Sequence, residues 1–165
     1  MTLPSKSGRI LNELLVEKDT LIVIKLHPYQ KRERVDCEGY PNMILIENQE
    51  LRESDLHINK LLGCADALIS DYSSASIDYL ILNRPIGFLL DDADAYARSR
   101  GFIFDPLADH LPGAELYTFE DMLRFIEEVS DDIDPSYEKR KRLKGKLQAF
   151  DDDRSCERLV RELGI

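Results

Sequence analysis

Short apolar runs, each followed by a stretch of helical period, constrain this chain most. The runs are residues 20–26 (Thr-Leu-Ile-Val-Ile-Lys-Leu), 43–46, 67–70 and 86–90, with a weaker one at 115–117. The first is rich in β-branched residues and does not alternate apolar with polar, so it reads as a strand buried on both faces. Between the runs, apolar residues recur at helical spacing. Ile10, Leu11, Leu14 and Leu15 mark a helix over 8–18, and a second helix runs over 56–64 with Ser54 or Asp55 as its cap. Ile77, Leu80 and Ile81 mark one over 74–82. Thr118 opens another over 119–129, with Asp121 completing a capping box. Two more helices follow at 135–147 and 153–163, and residues 91–112 read as one long polar loop, the kind that tends to be functional. This alternation predicts an α/β fold, a parallel sheet with helices on both faces, in a single domain over residues 1–165.

Within that pattern the richest stretch is residues 67–85. Ala67-Leu68-Ile69 is strand-like, Ser70-Asp71-Tyr72-Ser73-Ser74 is a polar turn, and Asn83-Arg84-Pro85 stops the helix between them. Hydroxyls gather where the strand ends and the helix begins, a junction whose outward amides can take phosphate. Ordinary capping explains one such serine. Two adjacent serines, with Asp71 before them and Ser76 after, exceed that need. In parallel sheets ligands bind beyond the carboxyl ends of the strands. His27, at the end of the first strand, falls at the same edge as Asp71 and the serines.

Charge and cysteine usage narrow the partners. The net charge is −10, with 32 acidic residues against 22 basic, so phosphate backbones would be repelled and nucleic acid is not expected as a partner. The basic clusters at 31–34 and 139–142 read as solvated faces. Cys37, Cys64 and Cys156 are odd in number and widely spaced, and His27, His57 and His110 are scattered, so neither a disulfide framework nor a metal site is expected. Cys64, at an apolar helix end, is expected to be buried. This usage suits a reducing cytoplasm. No signal peptide is visible in residues 1–20, and no run approaches the ~20 apolar residues that span a bilayer.

Several motifs, taken in order, resemble a known family. Lys25-Leu26-His27-Pro28 resembles its strand-ending HP motif, and residues 65–74 with Asp78-Tyr79 resemble its A-D-x-L-I-(S/T)-D-Y-S-S-x-x-x-D-(Y/F) signature. Arg84-Pro85 and Arg100-Gly101-Phe102-Ile103-Phe104-Asp105 resemble two further elements, and residues 152–158 a variant of its closing segment. The family is the CDP-glycerol glycerophosphotransferases of teichoic acid biosynthesis. The resemblance implies one Rossmann-like half of a GT-B transferase, the carboxyl half that binds the CDP-activated donor. The implied reaction transfers glycerol phosphate from CDP-glycerol to a growing polymer and releases CMP, without cofactor or metal. CDP-ribitol or nucleotide-sugar donors remain alternatives. So does a non-catalytic nucleotide-binding partner module; a receiver-like domain is a weaker rival, lacking a paired acidic cluster at a strand end. The implied location is cytoplasmic, at the inner face of the plasma membrane, with peripheral association in the full enzyme.

The roles implied by the resemblance are specific. His27 contacts the donor phosphates and helps CMP leave, which makes it the catalytic candidate. Ser73, Ser74 and Arg154 bind phosphate. Asp71 fixes the turn; Tyr72 either walls the nucleotide or packs; Asp78 takes a ribose hydroxyl or a neighbouring loop; Gly101 lies in a loop near the donor. Asp153 and Cys156 depart from the pattern around Arg154. The family's carboxyl half begins with an apolar strand that residues 1–8, with Pro4 and Gly8, match poorly. The expectation is a sheet lacking its central strand, which closes differently, uses residues 1–3, or borrows from another chain; a homodimer or the missing amino half is the partner expected. That amino half carries the acceptor site, so the chain alone is expected to be inactive or weakly active.

Overall fold

The structure is a computed structural model that describes residues 5–26, 37–54, 56–71, 73–99, 101 and 107–165. Helix α1 (Ser5–Glu17) leads through a short turn into strand β1 (Ile22–Lys25), which pairs in parallel with β2 (Met43–Ile46). Two short helices follow, α2 (Asn48–Glu53) and α3 (Ile58–Cys64). Strand β3 (Leu68–Ser70), helix α4 (Ala75–Tyr79) with a 3-10 turn at Leu80–Leu82, and strand β4 (Ile86–Leu89) form a β-α-β unit. Helix α5 (Ala93–Ser99) and a 3-10 turn at Leu107–His110 precede β5 (Ala114–Leu116). Helices α6 (Phe119–Ser130), α7 (Tyr137–Leu147) and α8 (Ser155–Leu163) complete the chain.

The predicted parallel α/β architecture is present, but in two ladders. One is β1-β2 and the other β3-β4-β5, every pairing parallel, and among the described residues no strand bond joins them. They are nevertheless held over one apolar cluster. Leu11 and Leu15 of α1, Met43 of β2, Leu116 of β5 and Met122, Phe125 and Ile126 of α6 are its buried members, and Ile22, Ile24, Ala67 and Ile69 pack against it. Polar staples flank the cluster: Lys18 Nζ donates to Asp131 at 2.7 Å, and the Thr20 and Ser130 hydroxyls lie 3.0 Å apart. A second cluster, built on Tyr79, Leu80, Ile86, Phe88, Leu90 and Leu111, gathers Leu62, Leu68 and Leu147.

Three readings need correction. The basic run at 139–142 is not uniformly solvated: Arg140 is fully buried, bonded to the Asp134 carboxylate and donating to the Asn83 carbonyl at 3.0 Å. Its neighbours on α7 are wet, but the helix turns this one guanidinium onto the left-handed residue (φ 52°) that ends the 3-10 turn. Cys64 is exposed, since α3 has no fully buried residue. The helix over 56–64 begins after His57, which holds the N-cap position without a side-chain cap bond; Ser54 instead ends a separate helix, Asn48–Glu53, and Asp55 lies outside the described residues. The capping box at Thr118 and Asp121 is present, with Asp121 N–H donating to Thr118 Oγ1 at 3.1 Å.

Close approach fixes two glycines in opposite ways. A Cβ on Gly113 would lie 2.1 Å from the Ile86 carbonyl oxygen, whereas one on Gly145, exposed in α7, meets nothing within 4 Å. Gly113→Ala should therefore cost about 1–3 kcal/mol and Gly145→Ala should add about 0.5–1 kcal/mol, read from urea midpoints. Asp134→Ala leaves a buried guanidinium unpaired and should cost about 3–5 kcal/mol. Bonds from Thr118 hold the Asp121 carboxyl below its ordinary value of 3.8. A depressed carboxylate stabilises the fold above its unfolded pKa and stops doing so as pH falls through the folded one. The stability difference between the native chain and Asp121→Asn should thus be widest near neutrality and shrink below about pH 4.

Candidate functional site

Because all strands run parallel, their carboxyl ends open onto one edge of each ladder. The turn after β3 is built there from its own sequence. Asp71 accepts a hydrogen bond from the Ser73 amide at 3.0 Å, which fixes the turn as an Asx motif. Ser73 and Ser74 follow, both exposed. Ser73 Oγ accepts weakly from the Ala75 amide at 3.4 Å, and the Ser76 hydroxyl donates to the Ser73 carbonyl at 2.9 Å. Ser74 is the N-cap of α4 by position, yet its hydroxyl makes no cap bond. That is the excess polarity the sequence suggested: capping does not occupy the Ser74 side chain. α4 itself has only 5 residues, so the local hydroxyls and amides, more than any helix dipole, define what the turn offers an anion.

The turn is anchored from below. Tyr79 is 1% exposed, and its hydroxyl donates to the Ala65 carbonyl at 2.8 Å. Burial raises the Tyr79 phenol above its ordinary pKa. Arg84 donates to the Gly63 carbonyl at 3.2 Å and also reaches the Ala65 carbonyl, closing the end of α3. From α7, Gln148 donates to the Ile77 carbonyl at 2.8 Å and Lys144 to the Ile81 carbonyl at 2.8 Å.

The remaining nominated residues divide. Asp78 is exposed on α4, just beyond the serines. Gly101 has φ +73° and donates to the Tyr96 carbonyl at 3.3 Å, so it terminates α5 in a conformation that glycine adopts without strain. Arg154 stands at the start of α8, where its side chain pairs with Glu157 at 2.9 Å. Beside it Arg158 clasps Asp152 at 2.8 Å and lies 3.8 Å above the Phe150 ring, holding the Asp152 carboxyl below its ordinary pKa. No hydrogen bond or ion pair between described residues joins Arg154 or Gly101 to the turn after β3. His27 and Tyr72 lie outside the described residues, as do Phe102 and Phe104. No cluster of metal-ligating side chains exists among the described residues.

A second feature at the carboxyl ends of the first ladder escaped the sequence reading. A cavity of about 380 Å³ is lined by Lys25, Asn48, Leu51, Arg52 and His57, among others. Lys25 closes β1, and its ammonium donates to the Leu26 carbonyl at 2.9 Å. The signal was weak because α2 carries one buried apolar residue, Leu51, and so shows no helical period.

Comparison with known proteins agrees with this architecture. The chain is 29% identical over 145 residues to the teichoic acid ribitol-phosphate polymerase TarK of Staphylococcus aureus, covering 88% of this chain and 26% of that protein. It is 30% identical over 148 residues to TarL of the same organism, covering 89% and 25% respectively. It thus spans about a quarter of the length of these curated relatives. A structure of the wall teichoic acid polymerase TagF, soaked with CDPG, superposes with a TM-score of 0.72 at 24% identity, over 94% of this chain and 37% of that one. The chain is therefore an α/β protein of parallel sheets, similar in fold to part of TagF. Among its described residues no helix is long and apolar enough to cross a membrane. Residues 10–164 match the model of one family along nearly their whole length, and the chain belongs to it: CDP-Glycerol:Poly(glycerophosphate) glycerophosphotransferase.

Proposed function

We propose that this chain is a Rossmann-like donor-binding domain, the carboxyl half of a GT-B transferase of the teichoic acid class, and that it binds a CDP-activated polyol through the turn after β3. In this reading Ser73 and Ser74 give hydroxyls, and Ser74 its amide, to the diphosphate, while Asp71, which accepts the Ser73 amide, holds the turn in shape rather than meeting the anion, since like charges repel. His27, the second residue past the end of β1 in sequence, is assigned the leaving phosphate, on which it acts as cation or donor. Positive groups and main-chain donors carry the diphosphate charge without a metal. The single observation that carries the reading is the exposed Ser73–Ser74 pair at a parallel strand's carboxyl end, its second hydroxyl unspent on capping, in a chain of this family.

Two of the companion assignments also have local partners of their own. Arg154 spends its charge on Glu157, and Gly101 is explained by the end of α5. Donor contacts from either require that these pairings rearrange. The alternative donor, CDP-ribitol, has a specific observation behind it: TarK and TarL, which match at 29% and 30%, are both ribitol-phosphate polymerases.

Calorimetric titration with CMP, CDP-glycerol, CDP-ribitol and a UDP-sugar tests the reading. Cytidine-selective binding is expected, and the polyol that binds more tightly decides between glycerol and ribitol. Binding of none would leave a non-catalytic partner module in its place. The Ser73→Ala, Ser74→Ala double variant should weaken the preferred CDP ligand by about 1–3 kcal/mol, and unchanged affinity would remove the phosphate assignment. Separately, Arg154→Ala should leave that affinity within about twofold, because an exposed Arg–Glu pair contributes little beyond its own helix start.

A further inference from the structure

The cavity beyond the first ladder gathers basic side chains that the described residues do not neutralise. Lys25 ends β1, Asn48 and Arg52 lie on α2, and His57 precedes α3; all four line it. Among the described residues no hydrogen bond or ion pair engages the side chains of Asn48, Arg52 or His57. Lys25 turns its ammonium onto the Leu26 carbonyl, its immediate neighbour, at 2.9 Å, which leaves its other N–H groups for a ligand. Elsewhere cations find carboxylates readily, as a chain of net charge −10 should allow. Lys18 pairs with Asp131, Lys139 with Glu115, Lys144 with Asp151 and Arg158 with Asp152.

The acids of α2 and its start do not supply the missing charge. The Glu47 and Glu50 side chains close the capping box of α2, and Glu53 accepts from Gln49 at 2.7 Å. None of the three lines the cavity. Like charges around one hollow repel, so the arrangement costs stability until an anion enters. The walls sharpen that preference. Leu51 is buried and Leu56 half-buried, and low-dielectric walls of this kind concentrate the field of the charges beside them. At about 380 Å³ the hollow falls in the size range of small-molecule sites.

We propose that this cavity is a binding site for a small phosphate ester, separate from the turn after β3. The Arg52 guanidinium offers the planar fork that grips two oxygens of a phosphate, and Lys25 adds a point charge. Asn48 and His57 add N–H donors. These groups come from the end of β1, from α2 and from the start of α3, so they approach the hollow from several elements. A tetrahedral phosphate presents oxygens in all those directions, whereas a flat carboxylate presents two in one plane. The site rests on side chains, since α2 and α3 have only 6 and 7 residues and little dipole to add. No described residue of the turn after β3 lines the cavity, so two phosphate groups can be held at once. The inference goes beyond the donor reading and stands without it.

Amide NMR of the labelled chain, titrated with glycerol 3-phosphate and with glycerol as the uncharged control, tests it. Saturable shifts are expected at Lys25, Asn48, Arg52 and His57 with the ester and none with glycerol. Arg52→Ala and Arg52→Glu replace an exposed side chain without a described partner, so the thermal midpoint should hold while affinity falls about tenfold or more. Sodium chloride should weaken binding as well. Saturating CDP-glycerol should leave the ester bound, and the Ser73→Ala, Ser74→Ala double variant should leave its affinity unchanged. Three results would overturn the proposal. One is no saturable shift at these amides, or shifts at Ser73 and Ser74 in their place. Another is full affinity in Arg52→Glu. The third is displacement of the ester by CDP-glycerol, which would make the cavity part of the donor's own site. If CDP-glycerol binds nowhere, the donor reading falls, and the ester titration with the Arg52 variants still decides this one.

Discussion

The apolar cluster shared by α1 and α6 is the constraint on which the architecture depends. No strand bond among described residues connects the two ladders, so their common alignment comes from side chains: Leu11 and Leu15 of α1, Met43 of β2, Leu116 of β5 and Phe125 and Ile126 of α6 are buried in one cluster. Burying apolar area of this kind contributes roughly 25 cal/mol per Å² and has no directionality. Direction comes from the staples at the rim, where Lys18 meets Asp131 and Thr20 meets Ser130. Hydrophobic burial thus brings the ladders together, and a few polar pairs set how α1 lies on α6.

The candidate site is a consequence of this arrangement. Parallel strands bring segments distant in sequence to one edge, and the sequence places polar turns there. Beneath the turn after β3, Tyr79, Arg84 and Gln148 donate to main-chain carbonyls and tie the segment to its neighbours. Arg140 repeats the device one layer down, joining Asp134 to the carbonyl of Asn83. Side chains from α4, from the turn before β4 and from the end of α7 therefore support a turn whose Ser73 and Ser74 stay exposed to solvent.

Much of this was legible in the residues, and for a physical reason. Long, strongly periodic helices such as α6 declare themselves through Met122, Phe125 and Ile126, and strands such as β1 and β2 through unbroken apolar runs, although Val23 and Ile44 are exposed rather than covered. The Asp71 turn and the Thr118 box were legible because both are local bonds between near neighbours. What sequence did not reveal depends on tertiary geometry. α2 has one buried side chain and α5 lies in a polar stretch, so neither shows a period. The burial of Arg140 inside a run of bases depends on where α7 docks, and the cavity at Lys25, Arg52 and His57 on how α2 and α3 close over β1. The family motif around Arg154 suggests phosphate binding, and the motif does not announce the exposed pairing with Glu157 that the helix start brings.

The central claim, that the turn after β3 receives the donor's diphosphate, is tested most directly by amide NMR of the labelled chain titrated with CDP-glycerol and CDP-ribitol. The account predicts saturable shifts centred on the amides of Ser73, Ser74 and Ala75 with at least one of the two ligands. Shifts confined to other parts of the molecule, or none at millimolar ligand, would contradict it.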